Sequence, residues 1–325
     1  MAIGNELIVR VLGGDRSAIA RAITLIENEH PEAISLLRLL FPHTGKAYRI
    51  GITGPPGAGK STITNKLAKL FRTENKRIGI IAVDPTSPFT GGALLGDRVR
   101  MTDVELDDGV FIRSMASRGS LGGLSKKAKE AADILDASGF DIILMETVGV
   151  GQSELDIARA ADTTIVVLVP ESGDSIQAMK AGLMEIADFF VVNKSDRAGA
   201  EQAVMSIKMV LNFKPHQGGW RPDVIQAIAN DGKGIDQIRD MIIKNRNYLE
   251  SNNILQKKRE ERIAERIREL IVERLHVEFW NEERDQMLAQ SLSKIIKSEL
   301  TPYDIVEELL KNFKQQSIAI LIKSS

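Results

Sequence analysis

Hydrophobic and polar residues alternate differently in three regions of the chain. From Asp15 to Leu40, apolar residues recur at the three- and four-residue spacing that predicts amphipathic helices. Asp15 is a residue type favoured at helix N-caps, and Pro31 divides the stretch into two helices. We expect these helices to form a layer packed on a larger domain.

The middle region, from Ala47 to Leu249, has a different period. Short β-rich runs predict strands at Arg49–Thr53, Ile78–Val83, Val110–Arg113, Asp141–Met145, Thr164–Val169, Phe189–Val192 and Val224–Ile228. Amphipathic helical stretches such as Ser61–Phe71 and Leu124–Ser138 lie between them. Alternating strands and helices, with strands that are nearly all apolar, predict an α/β fold with a mostly parallel sheet covered on both faces. Functional groups of such sheets lie beyond the C-terminal ends of the strands.

The last region, Ser251 to Ser325, is helical and highly charged. One apolar stripe runs along it, formed by Ile263, Ile267, Leu270, Ile271 and Leu275. Thr301 and Pro302 stand in the order that starts a further helix. Because a two-helix appendage has little core of its own, we favour a dimerisation arm over a self-packed unit. We therefore expect an N-terminal helical extension over 1–46, an α/β domain over 47–249 and an arm over 250–325.

Composition narrows the class of protein. The 325 residues carry 43 Lys and Arg against 44 Asp and Glu, so the net charge of −1 gives no reason to expect nucleic acid or an anionic membrane as partner. The absence of cysteine excludes disulfides, iron–sulfur clusters and thiol nucleophiles. Met1–Arg10 contains Glu6 and no long apolar core, so we expect no signal peptide, and no apolar run approaches the ~20 residues of a membrane span. We expect a soluble, cytoplasmic protein.

A phosphate-binding loop follows the first predicted strand. Residues 54–61 read GPPGAGKS, a complete G-x-x-x-x-G-K-[ST] pattern placed between a strand and a helix. Its glycines let successive backbone N–H groups surround phosphate oxygens, and the helix N-terminus adds its dipole. We expect Lys60 to reach the β- and γ-phosphates and the Ser61 hydroxyl to bind Mg²⁺. The predicted nucleotide-binding residues here are Gly54, Pro55, Pro56, Gly57, Ala58, Gly59, Lys60, Ser61 and Thr62.

The tetrapeptide NKSD at residues 193–196 directly follows an apolar strand and predicts guanine as the base. The Asp196 carboxylate accepts from guanine N1–H and the 2-amino group, whereas adenine leaves it unpaired at a cost of about 1–3 kcal/mol. We expect the Lys194 stem to lie over the base and the Asn193 side chain to tie its loop to the phosphate loop. Ala229, after the last predicted strand, is the candidate for a further backbone contact to the base. GTP is therefore the predicted nucleotide.

Three carboxylates are candidates for the Mg²⁺ and switch region. Asp84 and Glu146 each end a predicted strand, and Asp97 lies on a glycine-rich segment that we expect to move with nucleotide state. A carboxylate at the position of Glu146 normally holds a water of the Mg²⁺ shell, while Gly149 offers its N–H to the γ-phosphate. Most GTPases have Asp where this chain has Glu146, whose longer side chain suits contact through water. Caps or solvated loop acids are the structural alternative for each carboxylate.

The position after Gly149 predicts slow hydrolysis. Ras-like GTPases carry there a glutamine that orients the attacking water. This chain has Val150, which cannot orient water, and Gln152 follows two positions later. We therefore expect intrinsic turnover to be slow and to rise when a partner reshapes the site.

Together the motifs resemble the methylmalonyl-CoA mutase-associated GTPases of the MeaB/ArgK type, which are similar to the human cobalamin A-type protein. The resemblance runs from about Gly13 through Leu249, and the charged C-terminal helices resemble that family's dimerisation arm. It implies a P-loop GTPase domain of the SIMIBI class. It rests on the blocks GITGPPGAGKS, VDPTS, GGALLGDR, ETVGVGQSE and VNKSD.

The resemblance also implies a function. Such a protein is a homodimeric GTPase that chaperones an adenosylcobalamin-dependent acyl-CoA mutase, above all methylmalonyl-CoA mutase, with GTP hydrolysis to GDP gating cofactor loading and protecting the mutase. The catalytic residues carried over are Lys60, Asp97 and Glu146, and those for Mg²⁺ are Ser61, Asp84, Asp97 and Glu146. The loop Pro170–Gly182 corresponds to a switch that meets the mutase, but lacks the Gly-Ala-Gly-Asp of many relatives.

Other functions stay open from the residues alone. A nickel-inserting GTPase shares the P-loop sheet but needs Cys or His clusters, and the four histidines here are scattered. An ATP-dependent kinase linked to amino-acid transport would conflict with the NKSD tetrapeptide. A GTPase of ribosome or RNA is disfavoured by the near-neutral charge.

Overall fold

A parallel β-sheet forms the centre of the protein. The computed structural model describes residues 5–85, 104, 106–117, 123–147, 153–170, 181–213 and 219–323, and within these ranges seven strands pair in the order β3-β2-β4-β1-β5-β6-β7. All of the pairings are parallel. The strands are β1 Tyr48–Thr53, β2 Ile78–Pro85, β3 Val110–Ser117, β4 Ile142–Thr147, β5 Thr163–Leu168, β6 Phe189–Asn193 and β7 Val224–Ala227. The predicted α/β class is confirmed.

Helices cover both faces of the sheet. They are α1 Asn5–Leu12, α2 Arg16–Glu27, α3 Ala33–Leu40, α4 Lys60–Thr73, α5 Gly123–Ala137, α6 Ser153–Ala160, α7 Ala181–Ile186, α8 Ala200–Phe213 and α9 Ile235–Ser251. Ile143 and Leu144 are neighbours on β4, yet they belong to different buried clusters. Successive side chains of a strand point to opposite faces, so both faces of the sheet carry a hydrophobic core. This burial explains why the strands are almost continuously apolar.

The N-terminal helices pack on one of these cores. Asp15 caps α2 as expected, because its side chain accepts a hydrogen bond from Ala18 N. Lys127 of α5 covers the other end of α2, donating from Nζ to Ile26 O (3.0 Å) and Glu27 O (3.1 Å). Helix α1 was not predicted from the pattern. At its eight residues, hydrophobic periodicity is a weak signal.

Strand ends differ slightly from the predicted ones. β3 continues to Ser117 because it stays in register with β2 as far as Pro85. β7 stops at Ala227 rather than at Ile228, since the backbone N–H of Ile228 donates to Lys233 O (3.0 Å) in the following turn.

Asp136, at the end of α5, holds the segment that enters β1. Its carboxylate is 1% exposed and accepts from the backbone N–H groups of Gly45 (2.8 Å), Lys46 (3.0 Å) and Ala47 (2.9 Å). Arg49 Nη2 lies 3.4 Å from the same carboxylate. Because β1 continues into the phosphate loop, this carboxylate helps to fix the strand that carries the site.

We expect Asp136→Asn to lower the free energy of unfolding by about 2 kcal/mol, because an amide turns an NH₂ group toward backbone donors and leaves one of them unpaired. Urea unfolding followed by Trp220 fluorescence in a Trp280→Phe background measures this change. Asp133→Asn is the matched control, since Asp133 also binds Arg49 but is 33% exposed. Equal effects of the two substitutions would contradict this role of Asp136.

Contacts divide the chain into two compact units, Met1–Lys258 and Arg259–Ser325. The predicted limits at 46/47 and 249/250 stay predictions. The C-terminal region contains α10 Ile254–Phe279, α11 Glu282–Ile296 and α12 Pro302–Lys323. Within the described ranges, no helix is both long and apolar enough to cross a membrane.

A buried arginine organises the second unit. Arg284 is 2% exposed, and its Nη1 donates to Asn312 Oδ1 (2.9 Å) and Gln316 Oε1 (2.7 Å). Its guanidinium also lies over the rings of Phe279 and Phe313. These contacts join α10, α11 and α12, while the predicted apolar stripe of α10, Ile263 to Leu275, stays between 42% and 53% exposed.

Candidate nucleotide-binding site

The candidate site lies at the carboxyl ends of the central strands. β1 runs between β4 and β5 and leads directly into residues 54–61 and α4. Ile52 of β1 stands in register with Glu146 of β4, so this carboxylate arrives beside the loop. Asn193 ends β6, on the far side of β5. The parallel strand order therefore brings three segments that are distant in the sequence to one edge of the sheet.

Glycines allow the phosphate loop to pack tightly against the sheet. Gly54 and Gly59 have φ values of 134° and 90°, which other residues rarely adopt. A Cβ atom at Gly54 would lie 2.0 Å from Val167 O, and one at Gly59 would lie 2.2 Å from Asn193 Nδ2. At Gly57, by contrast, a Cβ would meet no atom of the described residues within 4 Å. The loop thus packs closely against the strands at Gly54 and against Asn193 at Gly59, directly before the N-terminus of α4, which favours an anion.

Lys60 is held inside the loop. It is only 5% exposed, and its Nζ donates to Gly54 O (2.8 Å) and Pro55 O (2.9 Å). The loop's own carbonyl oxygens therefore position the ammonium. A phosphate oxygen is a stronger acceptor because it is charged, so this arrangement fits a lysine that binds phosphate.

Ser61, Thr64 and Glu146 form a hydrogen-bonded group next to this lysine. Ser61 Oγ donates to Glu146 Oε1 (2.5 Å), and Thr64 Oγ1 donates to Glu146 Oε2 (2.9 Å). A hydroxyl and a carboxylate are the hard oxygen ligands that Mg²⁺ takes, so Ser61 and Glu146 fit the predicted metal. Thr64 was not among the predicted site residues, although helical spacing places it on the same face of α4 as Ser61.

The predicted tie between the NKSD segment and the phosphate loop is confirmed. Asn193 is 3% exposed, and its Nδ2 donates to Ala58 O (2.9 Å). Ser195 fixes the following turn, because its Oγ donates to Val192 O (2.6 Å) and its N–H donates to Ala227 O (3.1 Å). Lys194 has a left-handed φ of 58°, and Asp196 is exposed at the tip of the turn. The Asp196 carboxylate is therefore accessible, while its contact with the base stays a prediction.

Ala229 contacts Asn193 in this structure. Its backbone N–H donates to Asn193 Oδ1 (3.0 Å), so it supports the carboxamide that ties the two loops. A direct hydrogen bond from Ala229 to the base stays a prediction.

Several predicted site residues cannot be placed with the others. Asp84 lies at the end of β2, where its backbone is in register with Ala116, but the surroundings of its side chain are not described. Asp97 and Gly149 lie outside the described residues. The same holds for Val150, Gln152 and residues 171–180 of the predicted mutase-facing loop.

The chain is similar to known proteins along most of its length. The model of the family described as methylmalonyl-CoA mutase-associated GTPase MeaB matches residues 19–284. A protein of Pyrococcus abyssi that is named as a GTPase is 47% identical over 94% of this chain and 96% of its own length. GTPase ArgK of Escherichia coli is 38% identical over 96% of this chain and 97% of its own.

One solved structure resembles nearly the whole chain. It is titled as a LAO/AO transport system kinase, and it aligns with a TM-score of 0.74 and 31% identity. The alignment covers 95% of this chain and 97% of that protein.

Proposed function

This chain belongs to the family of methylmalonyl-CoA mutase-associated GTPases, and we propose that it uses GTP binding and hydrolysis to chaperone an adenosylcobalamin-dependent acyl-CoA mutase. Methylmalonyl-CoA mutase is the first candidate for the client, since the family is named after it. In this role the GTP and GDP states gate cofactor loading and protect the mutase. Its place of action is the cytoplasm.

The hydrogen bonds of Asn193 carry the GTP part of the proposal. One side chain joins the phosphate loop at Ala58 to the turn that presents Asp196. Phosphate binding and base reading are therefore parts of one rigid site. Asp196 accepts two hydrogen bonds from guanine, which adenine does not offer, so the site selects GTP over ATP.

The residues in and around the phosphate loop have separate roles. The Lys60 ammonium binds the β- and γ-phosphate oxygens, and the N–H groups of residues 57–62 surround them. Ser61 and Glu146 hold Mg²⁺, Glu146 through water, with Asp84 and Asp97 as further ligands of its shell. When bound, Mg²⁺ neutralises charge that develops on the phosphates during transfer. Lys60 would compensate part of the same charge.

Hydrolysis is slow without a partner, because Val150 stands where a glutamine would orient the attacking water. The partner is the mutase, which reshapes the site. The exposed stripe on α10, between Ile263 and Leu275, supports a homodimer, since exposed apolar stripes of this kind mark association surfaces.

GTP turnover by the purified protein, alone and with a methylmalonyl-CoA mutase from the same source, tests the proposal. We expect a basal rate below about 1 s⁻¹, in the range of intrinsic GTPases, and a rise of at least about tenfold with the mutase. Parallel reactions with ATP address the kinase alternative. ATP turnover above GTP turnover would contradict the guanine site.

The measurement with added mutase needs its own control. Lys60→Ala protein with the same mutase shows whether the added phosphate release comes from this active site. Tight GTP binding with no stimulation would keep the GTPase and remove this mutase as its client. Other cobalamin-dependent acyl-CoA mutases would then take its place in the same assay.

A further inference from the structure

We propose that Thr64 is a positioning residue for Glu146: its hydroxyl holds one carboxylate oxygen so that the other faces Ser61 and the Mg²⁺ position. The proposal rests on the GTPase function argued above. It adds a residue that none of the sequence motifs contains.

Consecutive turns of α4 hold the two carboxylate oxygens. Ser61 Oγ donates to Glu146 Oε1 (2.5 Å), and Thr64 Oγ1 donates to Glu146 Oε2 (2.9 Å). Residues three apart lie on the same face of a helix, so both hydroxyls point to one carboxylate. Thr64 is fully buried and Glu146 is 4% exposed, which shields the hydrogen bond between them from water.

The length of Glu146 explains why a second hydroxyl is needed. Its backbone is fixed, because β4 pairs with β1 through Ile52 and with β2 through Ala82 at this residue. The remaining freedom lies in the side chain, which has one more rotatable bond than aspartate. Ordering such a chain costs free energy, and a buried hydrogen bond to the distal oxygen offsets that cost.

Thr64 also has an alternative acceptor. Its Oγ1 lies 3.0 Å from Lys60 O, the carbonyl one turn earlier on the same helix. A hydroxyl carries one hydrogen, and a charged carboxylate is the stronger acceptor of the two. Thr64 therefore donates to Glu146 whenever the carboxylate is ionised, which is the state that binds a cation.

The test compares Thr64→Val, which keeps the branched shape, with Thr64→Ser, which keeps the hydroxyl. The readout is the Mg²⁺ concentration that half-saturates the enhancement of GDP binding. We expect this midpoint to rise about tenfold in T64V, the value of one charge-assisted hydrogen bond, and to stay within about twofold in T64S. GDP affinity measured in EDTA stays unchanged in both variants, which a general loss of structure would not allow.

Thr73→Val is the matched control on the same helix. Thr73 is exposed at the last residue of α4, more than three turns after Lys60, and its hydroxyl donates to Leu70 O (2.6 Å). We expect T73V to keep the wild-type Mg²⁺ midpoint. A T64V midpoint within about twofold of wild type, in folded protein, overturns the proposal. If T64V does not fold, Thr64→Ala takes its place.

A second measurement does not depend on nucleotide. A double-mutant cycle of Thr64→Val and Glu146→Gln, read by urea unfolding of the nucleotide-free protein, measures the coupling of the two side chains. For independent effects, the fold-changes of the two single variants in the unfolding equilibrium constant would multiply. We expect the double variant to depart from that product by about tenfold. Additive effects overturn the positioning role, whereas coupling together with no GTP binding by wild type counts against the proposed function alone.

Discussion

Replacing Lys60 with alanine is expected to weaken GTP binding by about 100- to 1,000-fold, the effect of removing one preorganised charged donor. The ammonium is buried and already aimed by Gly54 O and Pro55 O, so its entropy cost is paid before the nucleotide arrives. Alanine leaves the phosphate charge to the backbone N–H groups and to Mg²⁺. Titration calorimetry with GTP and Mg²⁺ measures the loss.

Two controls show whether a loss of GTP affinity comes from the missing ammonium or from damage to the helix. Lys66→Ala removes a lysine from the same helix outside the phosphate loop, and we expect its GTP affinity to stay within about threefold of wild type. The far-ultraviolet circular dichroism of both variants shows whether the helix persists. If folded K60A bound GTP within about fivefold of wild type, the assignment of the phosphate site would be wrong.

Replacing Asp196 with asparagine is expected to change the preferred base. An amide cannot accept from both N1–H and the 2-amino group of guanine, so GTP affinity should fall about 100-fold. Xanthine carries a carbonyl in place of that amino group, and the asparagine NH₂ can donate to it. Xanthosine triphosphate should therefore bind more tightly to D196N than GTP does. Competition against a fluorescent GDP analogue measures both affinities.

The position of Asp196 allows the substitution to change base recognition without disturbing the fold. Its side chain is exposed at the tip of the turn, so the substitution carries no folding cost from burial. Asp231→Asn is the matched control, because Asp231 is also exposed and lies in the neighbouring turn after β7. Unchanged relative affinities in D196N would contradict guanine as the base.

Most of the sheet was predictable because its signals are local. Apolar runs bounded by polar turns located every described strand within a few residues, and the phosphate loop was read from one continuous motif. Asp15 and Thr301–Pro302 correctly located two helix starts, since capping depends on neighbouring residues. Helix α1 was not predicted because eight residues contain too few repeats of the hydrophobic pattern to distinguish a helix from a loop.

Contacts between distant segments were harder to predict. The tie from Asn193 to Ala58 was expected from its motif, yet the use of Ala229 N–H on the same carboxamide was not. The hold of Asp136 on the entry to β1 spans about 90 residues and has no motif. Such contacts depend on which helix end meets which strand.

The phosphate-loop motif, the NKSD turn and the carboxylate at position 146 could be recognised in the chain without a structure, and so could the family, because each depends on residues that are close together in the sequence. The hydrogen bond from Thr64 to Glu146, 82 residues away, could be found only in the folded protein. The physical reason is the strand order, which places β4 directly beside β1 and so sets the end of β4 against α4. Parallel pairing at long sequence separation is a property of the whole sheet, and a local pattern does not contain it.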